Sequence, residues 1–374
     1  MKNVYLDNAS TTKPLDCVIE IIKNSLENNF GNASSTHSFG RTAKSAIENA
    51  RKSIAKILNC SSSEIIFTSG ATEANNWILT AAVLDLKIER IITTKTEHHA
   101  VLKVIENLAI KHNVTIDFLD IDEFGQIKLS DLVILLNENK KTIVSLMHVN
   151  NETGVVFDID SISKICKQSN AFLHSDTVQS IGKFEIDLQK INIDFLVASA
   201  HKFHGPKGIG FVFIRKGLQI NSLTVGGEQE KGLRAGTEAV HNIQGMETAL
   251  QHSHDNMTAD SKYISQLKNY AIDELTKVFP SLKINGGTAA FYNILNVMLP
   301  IDQAKAPLLL FTLDIKGIAV SRGSACQSGS SKPSHVLFEM LSEQDLLKPS
   351  LRISFSKFNT TDDIDYLVDV LKTI

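Results

Sequence analysis

Short apolar runs recur through the first two-thirds of the chain, at Glu64–Phe67, Arg90–Thr93, Thr115–Leu119, Thr142–Met147, Ala171–His174 and Phe195–Ser199, and helix-like stretches separate them. Brief strands apolar on both faces, each followed by a helical crossover, predict an α/β fold with a largely parallel sheet covered by helices. The rhythm breaks at Phe211–Ile214, which follows Phe195–Ser199 after only a Gly205-Pro206-Lys207-Gly208-Ile209-Gly210 turn. That turn is too short for a crossover, so the pair is predicted to be antiparallel. From Val240 to Phe279 breakers are few, which predicts one or two long helices joining a large domain to a smaller one. The remainder reads as a strand at Asn293–Leu299, a helix at Pro307–Ile315, a Ser/Gly-rich loop at Ser321–Ser334, a strand at Leu351–Phe355 and a last helix. Thr360-x-x-Asp363 is a capping box for that helix. The division expected is a large domain over residues 16–257 and a small α+β domain from 1–15 and 258–374.

With 374 residues the chain has room for two cores, and 43% hydrophobic against 21% charged residues is an ordinary globular mix. Lys and Arg number 38 against 41 Asp and Glu, with no basic block, so neither a nucleic acid nor a membrane surface is the expected partner. No apolar run reaches the eighteen or so positions that a membrane span needs. Residues 1–7 enter a Thr-rich turn without an apolar or Arg-rich leader, and the expected address is cytoplasmic. Cys17, Cys60, Cys166 and Cys326 are far apart and form no CxxC pair, which argues against a zinc knuckle or a disulfide framework.

Several residues could carry chemistry. Phe67-Thr68-Ser69-Gly70-Ala71-Thr72-Glu73 follows a strand and opens a helix, so its N–H groups would point at an anion, ideally a phosphate. An ordinary turn with Thr72 as cap fits the same residues. Neither a Walker A motif nor a GxGxxG fingerprint is present, which disfavours ATP and dinucleotides. Asp176 ends a parallel strand, where ligands of such sheets gather, and could pair with a cationic ligand nitrogen or simply cap a helix. Lys202, in Ser199-Ala200-His201-Lys202, sits at the same sheet edge. The Gly-Pro break after His204 weakens a metal reading of His201 and His204, and no metal is expected. His98 is a candidate acid–base or stacking group. Arg352 would point away from its apolar neighbours Leu351 and Ile353, as a carboxylate clamp or a surface charge. Cys326 lies in a polar loop where a thiolate can reach a substrate, whereas the other three cysteines fall in or beside helical patterns, where thiols are usually small buried hydrophobes.

Together these segments resemble one family, the cysteine desulfurases, pyridoxal-phosphate enzymes of the aspartate aminotransferase fold type (fold type I). The likeness runs from Tyr5-Leu6-Asp7-Asn8-Ala9-Ser10-Thr11-Thr12 through Phe30-Gly31-Asn32, Thr68–Glu73, Thr96-Glu97-His98, His148–Gly154, Asp176-x-x-Gln179, His201-Lys202 and Arg234-Ala235-Gly236-Thr237 to Gly323-Ser324-Ala325-Cys326 and Arg352. The long cysteine loop is similar to that of the housekeeping and nitrogen-fixation branch. The resemblance implies that Lys202 holds pyridoxal 5'-phosphate as a Schiff base and later acts as a base. Asp176 would keep the pyridine nitrogen protonated, Gln179 would bond the ring hydroxyl, and His98 would stack on the ring and shuttle protons. Ala71, Thr72, Ser199 and His201 would surround the phosphate, with Thr237 arriving from a second subunit of a homodimer. Asn151 would contact cofactor or substrate, Arg352 would grip the carboxylate of L-cysteine, and Cys326 would take the sulfur for delivery to an acceptor or scaffold protein. Iron–sulfur cluster assembly or tRNA thiolation is the implied destination, and L-alanine the second product. Ala33, Ala235 and Arg322 depart from the usual pattern beside the site.

Overall fold

The computed structural model describes residues 2–302, 306–322 and 334–374, with the side chains of 306 and 307 left aside. After a two-residue strand β1 (Val4–Tyr5) come helices α1 (Asp16–Asn28) and α2 (Ser38–Ile57). A seven-stranded sheet follows, built from β2 (Ile65–Thr68), β3 (Arg90–Thr93), β4 (Thr115–Phe118), β5 (Thr142–Ser145), β6 (Phe172–Asp176), β7 (Phe195–Ser199) and β8 (Gly210–Ile214). Its order is β2-β8-β7-β6-β5-β3-β4, and only β8 runs against its neighbours. The predicted antiparallel pair is therefore present, and the six strands predicted before it sit within two residues of their expected places.

Helices α3 (Ala71–Leu84) and α4 (His99–His112) cover one face, and α1, α2 and α6 (Ile159–Gln168) cover the other. A shorter helix, α5 (Leu129–Leu136), adds Leu132 and Leu136 to the second face. The alternation of a strand decides which side chain goes where: Phe195 and Val197 of β7 join the core under α3 and α4, whereas Leu196 and Ala198 join the opposite one.

The long helical stretch is a single helix, α7 (Val240–Val278), 39 residues without a break. Its first half puts Val240, Ile243, Met246 and Leu250 into the large core, and its second half puts Ile264, Leu267, Ala271 and Leu275 into another. That second core is formed with the antiparallel strands β9 (Lys283–Asn285), β10 (Ile294–Met298) and β12 (Ser350–Ser354), with α8 (Ala306–Ile315) and with α11 (Thr361–Leu371). The capping box of α11 is formed, the Asp363 carboxylate accepting from the Thr360 N–H at 3.2 Å. β1 pairs with β11 (Ile318–Ala319), and Val4 and Leu6 are buried in this second core, so the N-terminus closes a unit made mostly of C-terminal residues. β1, β9 and β11 were not anticipated; runs of two or three residues carry no readable period. The short helices α9 (His335–Met340) and α10 (Glu343–Leu346) lie between β11 and β12. Among the described residues no helix is long and apolar enough to cross a membrane.

Candidate active site

The reversed strand β8 assembles the site. Gly210 pairs with Thr68 at the end of β2 on one side and with Ser199 at the end of β7 on the other, so the two strand ends open toward one edge. A Cβ on Gly210 would lie 2.3 Å from the Ala198 carbonyl oxygen and 2.9 Å from Gly70 Cα, so only glycine permits this approach. Beyond that edge is a cavity of about 550 Å³.

At one end α3 begins with Gly70 at φ +152°, a backbone shape suited to glycine. No side chain caps α3; Thr72 is not its cap. Its first N–H groups and positive dipole end thus face the cavity with Ala71 and Thr72, the arrangement that binds anions. Ser199, His201 and Lys207 line the same end. His201 Nδ1 lies 3.2 Å from Thr11 Oγ1, and burial together with Lys202 and Lys207 pushes the imidazole down to about 4, so it stays neutral. Glu73 ties the rim to another segment: it accepts from the Ser69 N–H at 2.8 Å and pairs with Arg234 at 2.9 Å. Burial works against its charge, but these partners hold its carboxyl below the usual range.

Lys202 lies in a short turn directly after β7, and its Nζ donates to the carbonyls of Ala9 at 2.6 Å and Ser10 at 2.8 Å. Across the cavity Asp176 accepts from Asn75 Nδ2 at 2.8 Å and from the Val178 N–H at 3.1 Å. Gln179 donates to Ala9 O at 2.9 Å, which leaves its buried Oε1 without a partner. His98 is the N-cap of α4, and its Nδ1 accepts from the Ala100 N–H at 3.1 Å. Burial lowers its pKa, so the neutral ring carries its proton on Nε2.

At the far end Arg352 points away from the buried Leu351 and Ile353, as predicted, and is itself 1% exposed. It donates to Asn151 O at 2.8 Å, Asp7 Oδ1 at 2.8 Å and Ser10 Oγ at 2.6 Å, while its buried Nε has no acceptor. Asn151 also lines the cavity. Sequence reasoning assigned no role to Asp7, Ser10 or Asn75, although Asp7 and Ser10 fall inside a quoted segment.

Thr237 does not line this chain's own cavity. Cys326 lies outside the described residues, as does most of the Ser/Gly-rich loop. Its described flanks meet the site: Ser321 exchanges backbone hydrogen bonds with Arg352, the Ser334 hydroxyl donates to the Glu152 carboxylate, and His335 Nε2 lies 2.9 Å from Glu97 O. Burial raises the Cys60 and Cys166 thiols to about 12, whereas Cys17 is exposed on α1 rather than packed as its helical pattern suggested.

The family model described as Aminotransferase class-V matches residues 4–367. A protein named Cysteine desulfurase IscS from Dictyoglomus turgidum is 40% identical, with 100% of this chain and 94% of that protein covered. The chain belongs to the cysteine desulfurases of the class V aminotransferase family. Consistent with that membership, a Putative cysteine desulfurase IscS 1 from Bacillus subtilis is 37% identical with both chains fully covered. Among solved structures, one described as a NifS-like protein superposes with a TM-score of 0.91 at 34% identity, covering 100% of this chain and 99% of that one. Another, described as SspA in complex with cysteine, has a TM-score of 0.84 at 29% identity, covering 96% and 100%. The cysteine desulfurase fold is thus the fold-type-I architecture expected from the sequence, and pyridoxal phosphate is the cofactor of the family. The cavity suits that cofactor. An amine, an uncapped helix N-terminus, a carboxylate and an orphaned amide oxygen surround one space of adequate size.

Proposed function

We propose that this protein removes sulfur from L-cysteine with pyridoxal phosphate, giving L-alanine and a persulfide on Cys326. One observation carries the reading: a single cavity is lined by Lys202, by an anion cradle at the start of α3 and by a buried guanidinium whose Nε lacks an acceptor. A phosphate and an amino-acid carboxylate would satisfy the two ends.

When bound, the cofactor supplies an electron sink for bonds at the substrate's Cα. The residues do the rest. Lys202 Nζ provides the attachment point and afterwards a base; its two carbonyl partners keep the amine aimed into the cavity. Asp176 would offer an acceptor to the ring nitrogen, Gln179 Oε1 would accept from the ring hydroxyl, and His98 would lie against the ring and move protons through Nε2. Ala71, Thr72, Ser199 and His201 hold the phosphate. Arg352 Nε binds the substrate carboxylate, with Asn151 beside it. Cys326, as thiolate, takes the substrate's sulfur: the S–S bond forms as the C–S bond breaks, its electron pair stays with carbon, and a proton completes the methyl group of alanine.

A homodimer completes the site in this reading. The Arg234–Thr237 segment is tied to the rim by Glu73 and lies near exposed Leu223 and Val225, a surface suited to a second copy, whose phosphate Thr237 would reach. The persulfide then passes to an acceptor or scaffold protein for iron–sulfur assembly or tRNA thiolation, in the cytoplasm.

The test is production of alanine and sulfide from L-cysteine under a reducing thiol, with Cys326→Ser as control. The variant should keep the cofactor's absorption and release essentially no alanine. Undiminished desulfuration by Cys326→Ser would overturn the assignment in favour of a lyase or aminotransferase that needs no thiol.

A further inference from the structure

Behind Asp176 runs a buried chain of polar side chains. On β6, His174 and Asp176 are two residues apart and so share a face, the one covered by α3. Asn75 of α3 bridges them: its Nδ2 donates to Asp176 Oδ2 at 2.8 Å, and its Oδ1 lies 3.0 Å from His174 Nε2. The other ring nitrogen, Nδ1, lies 2.9 Å from the hydroxyl of Ser145, which is the β5 partner of His174 in the sheet register. Asn75, His174 and Ser145 are each 0% exposed.

The direction of the chain follows from Asp176. Turning the Asn75 amide round would set its carbonyl oxygen against a carboxylate oxygen, so Nδ2 is the group that faces Asp176. Asn75 Oδ1 must then accept, which places the His174 hydrogen on Nε2. Complete burial pushes His174 down to about 4, so there is no second ring hydrogen, and Nδ1 accepts from the Ser145 hydroxyl. Every hydrogen thus points the same way, from Ser145 through His174 and Asn75 to Asp176. With the Val178 N–H on its other oxygen, Asp176 receives one donor on each oxygen and keeps further lone pairs for the cavity. The buried Glu97 and the neutral His98 also interact electrostatically with Asp176, and Lys202 lines the same cavity.

We propose that Asn75 and His174 are positioning residues which, with Ser145 as terminal donor, hold Asp176 as an oriented acceptor for the cofactor's ring nitrogen. This rests on the functional reading above. It adds that the cofactor's protonation is set from behind the sheet by neutral side chains that touch neither cofactor nor substrate.

The test compares two substitutions of similar size at one buried position in the purified holoenzyme. His174→Gln places an amide N–H where Nε2 donates to Asn75, whereas His174→Asn reproduces only the Nδ1 side facing Ser145. The readouts are the pH midpoint of the bound cofactor's visible band and the ¹⁵N shift of ring-labelled cofactor. A hydrogen bond to a charged group is large enough to move a coupled titration by about one pH unit. His174→Asn and Asn75→Leu should move the midpoint by about that much and shift the ring nitrogen toward its unprotonated value, whereas His174→Gln should stay near the parent. Equal behaviour of His174→Gln and His174→Asn, both folded by circular dichroism, would overturn the proposal, and so would loss of fold in either alone, which would make the role one of packing. Failure of the parent protein to bind pyridoxal phosphate would instead refute the functional reading.

Discussion

The two ends of the cavity are built on opposite plans. Both carboxylate oxygens of Asp176 find partners, one of them through a chain of neutral groups whose hydrogens all run one way. Around Arg352 the groups are incompletely satisfied: Arg352 Nε and the Oε1 of Glu152, the residue after Asn151, are buried without hydrogen-bond partners. A buried unpaired polar atom costs about 1–3 kcal/mol, so the second end is held at a cost that an arriving ligand can offset. The difference teaches which end serves a resident group and which a transient one. A permanent cofactor is met by a finished surface, and a substrate that must leave is met by an unfinished one.

The largest effect should come from the finished end. Asp176→Asn removes the carboxylate proposed to face the ring nitrogen, and kcat should fall at least about a hundredfold with little change in KM; a change confined to KM would erase the distinction. At the unfinished end, Arg352→Lys offers a single point charge in place of a planar fork that serves Asn151, Asp7 and Ser10 together. KM for L-cysteine should rise about tenfold to a hundredfold while the cofactor's spectrum stays constant. Loss of cofactor in that variant would show that the two ends are not separable.

Glu97 sharpens the comparison through stability. Burial pushes its carboxyl well above the usual range, and its Oε1 accepts from the Met147 N–H at 2.6 Å. Glu97→Gln should therefore cost under about 1 kcal/mol in urea unfolding, and Glu97→Leu, which strands that N–H, about 1–3 kcal/mol. Acid should act on the imidazoles next. His148, His174, His201 and His204 are each pushed down by burial to about 4 from 6.5. Between those values the unfolded chain binds more protons than the folded one, so stability present above pH 6.5 is lost as pH falls toward 4. Thermal unfolding at pH 5 should begin measurably below that at pH 7. The smallest effect belongs to Cys17→Ser: the residue is exposed on α1 and does not line the cavity, and both turnover and unfolding should stay within about 0.5 kcal/mol of the parent.

Much of the sheet was legible because buried parallel strands are contiguous apolar runs, and Phe195–Ser199 and Arg90–Thr93 were placed to the residue. Lys202, Asp176 and Arg352 were legible as candidates, by position at strand ends or by strand parity, and their roles came only from the family resemblance of the whole set. What stayed hidden was the support behind them. Asn75 looks like any polar residue early in a helix, and nothing local says that α3 lies over β6. One signal was available: His174 and Asp176 share a strand face by parity, which marks a buried histidine pointing the same way as a candidate ligand. Asp7 was hidden for a different reason, since its partner Arg352 lies 345 residues away. The single helix α7 was left as one or two because its cores differ while its periodicity does not change.

The placement of the first ten residues also bears on synthesis. Val4 and Leu6 are packed with β10, β12 and α11, and Ala9 and Ser10 supply the carbonyls that hold Lys202. A nascent chain makes those carbonyls at the outset, yet their bed, including Ser354, which accepts from the Asn8 N–H, is about 340 residues from emerging. At ordinary elongation rates that interval is roughly 20–70 s. The last strand of the seven-stranded sheet ends at Ile214, so in the order of synthesis the sheet precedes by about 140 residues the bed that anchors its reactive amine.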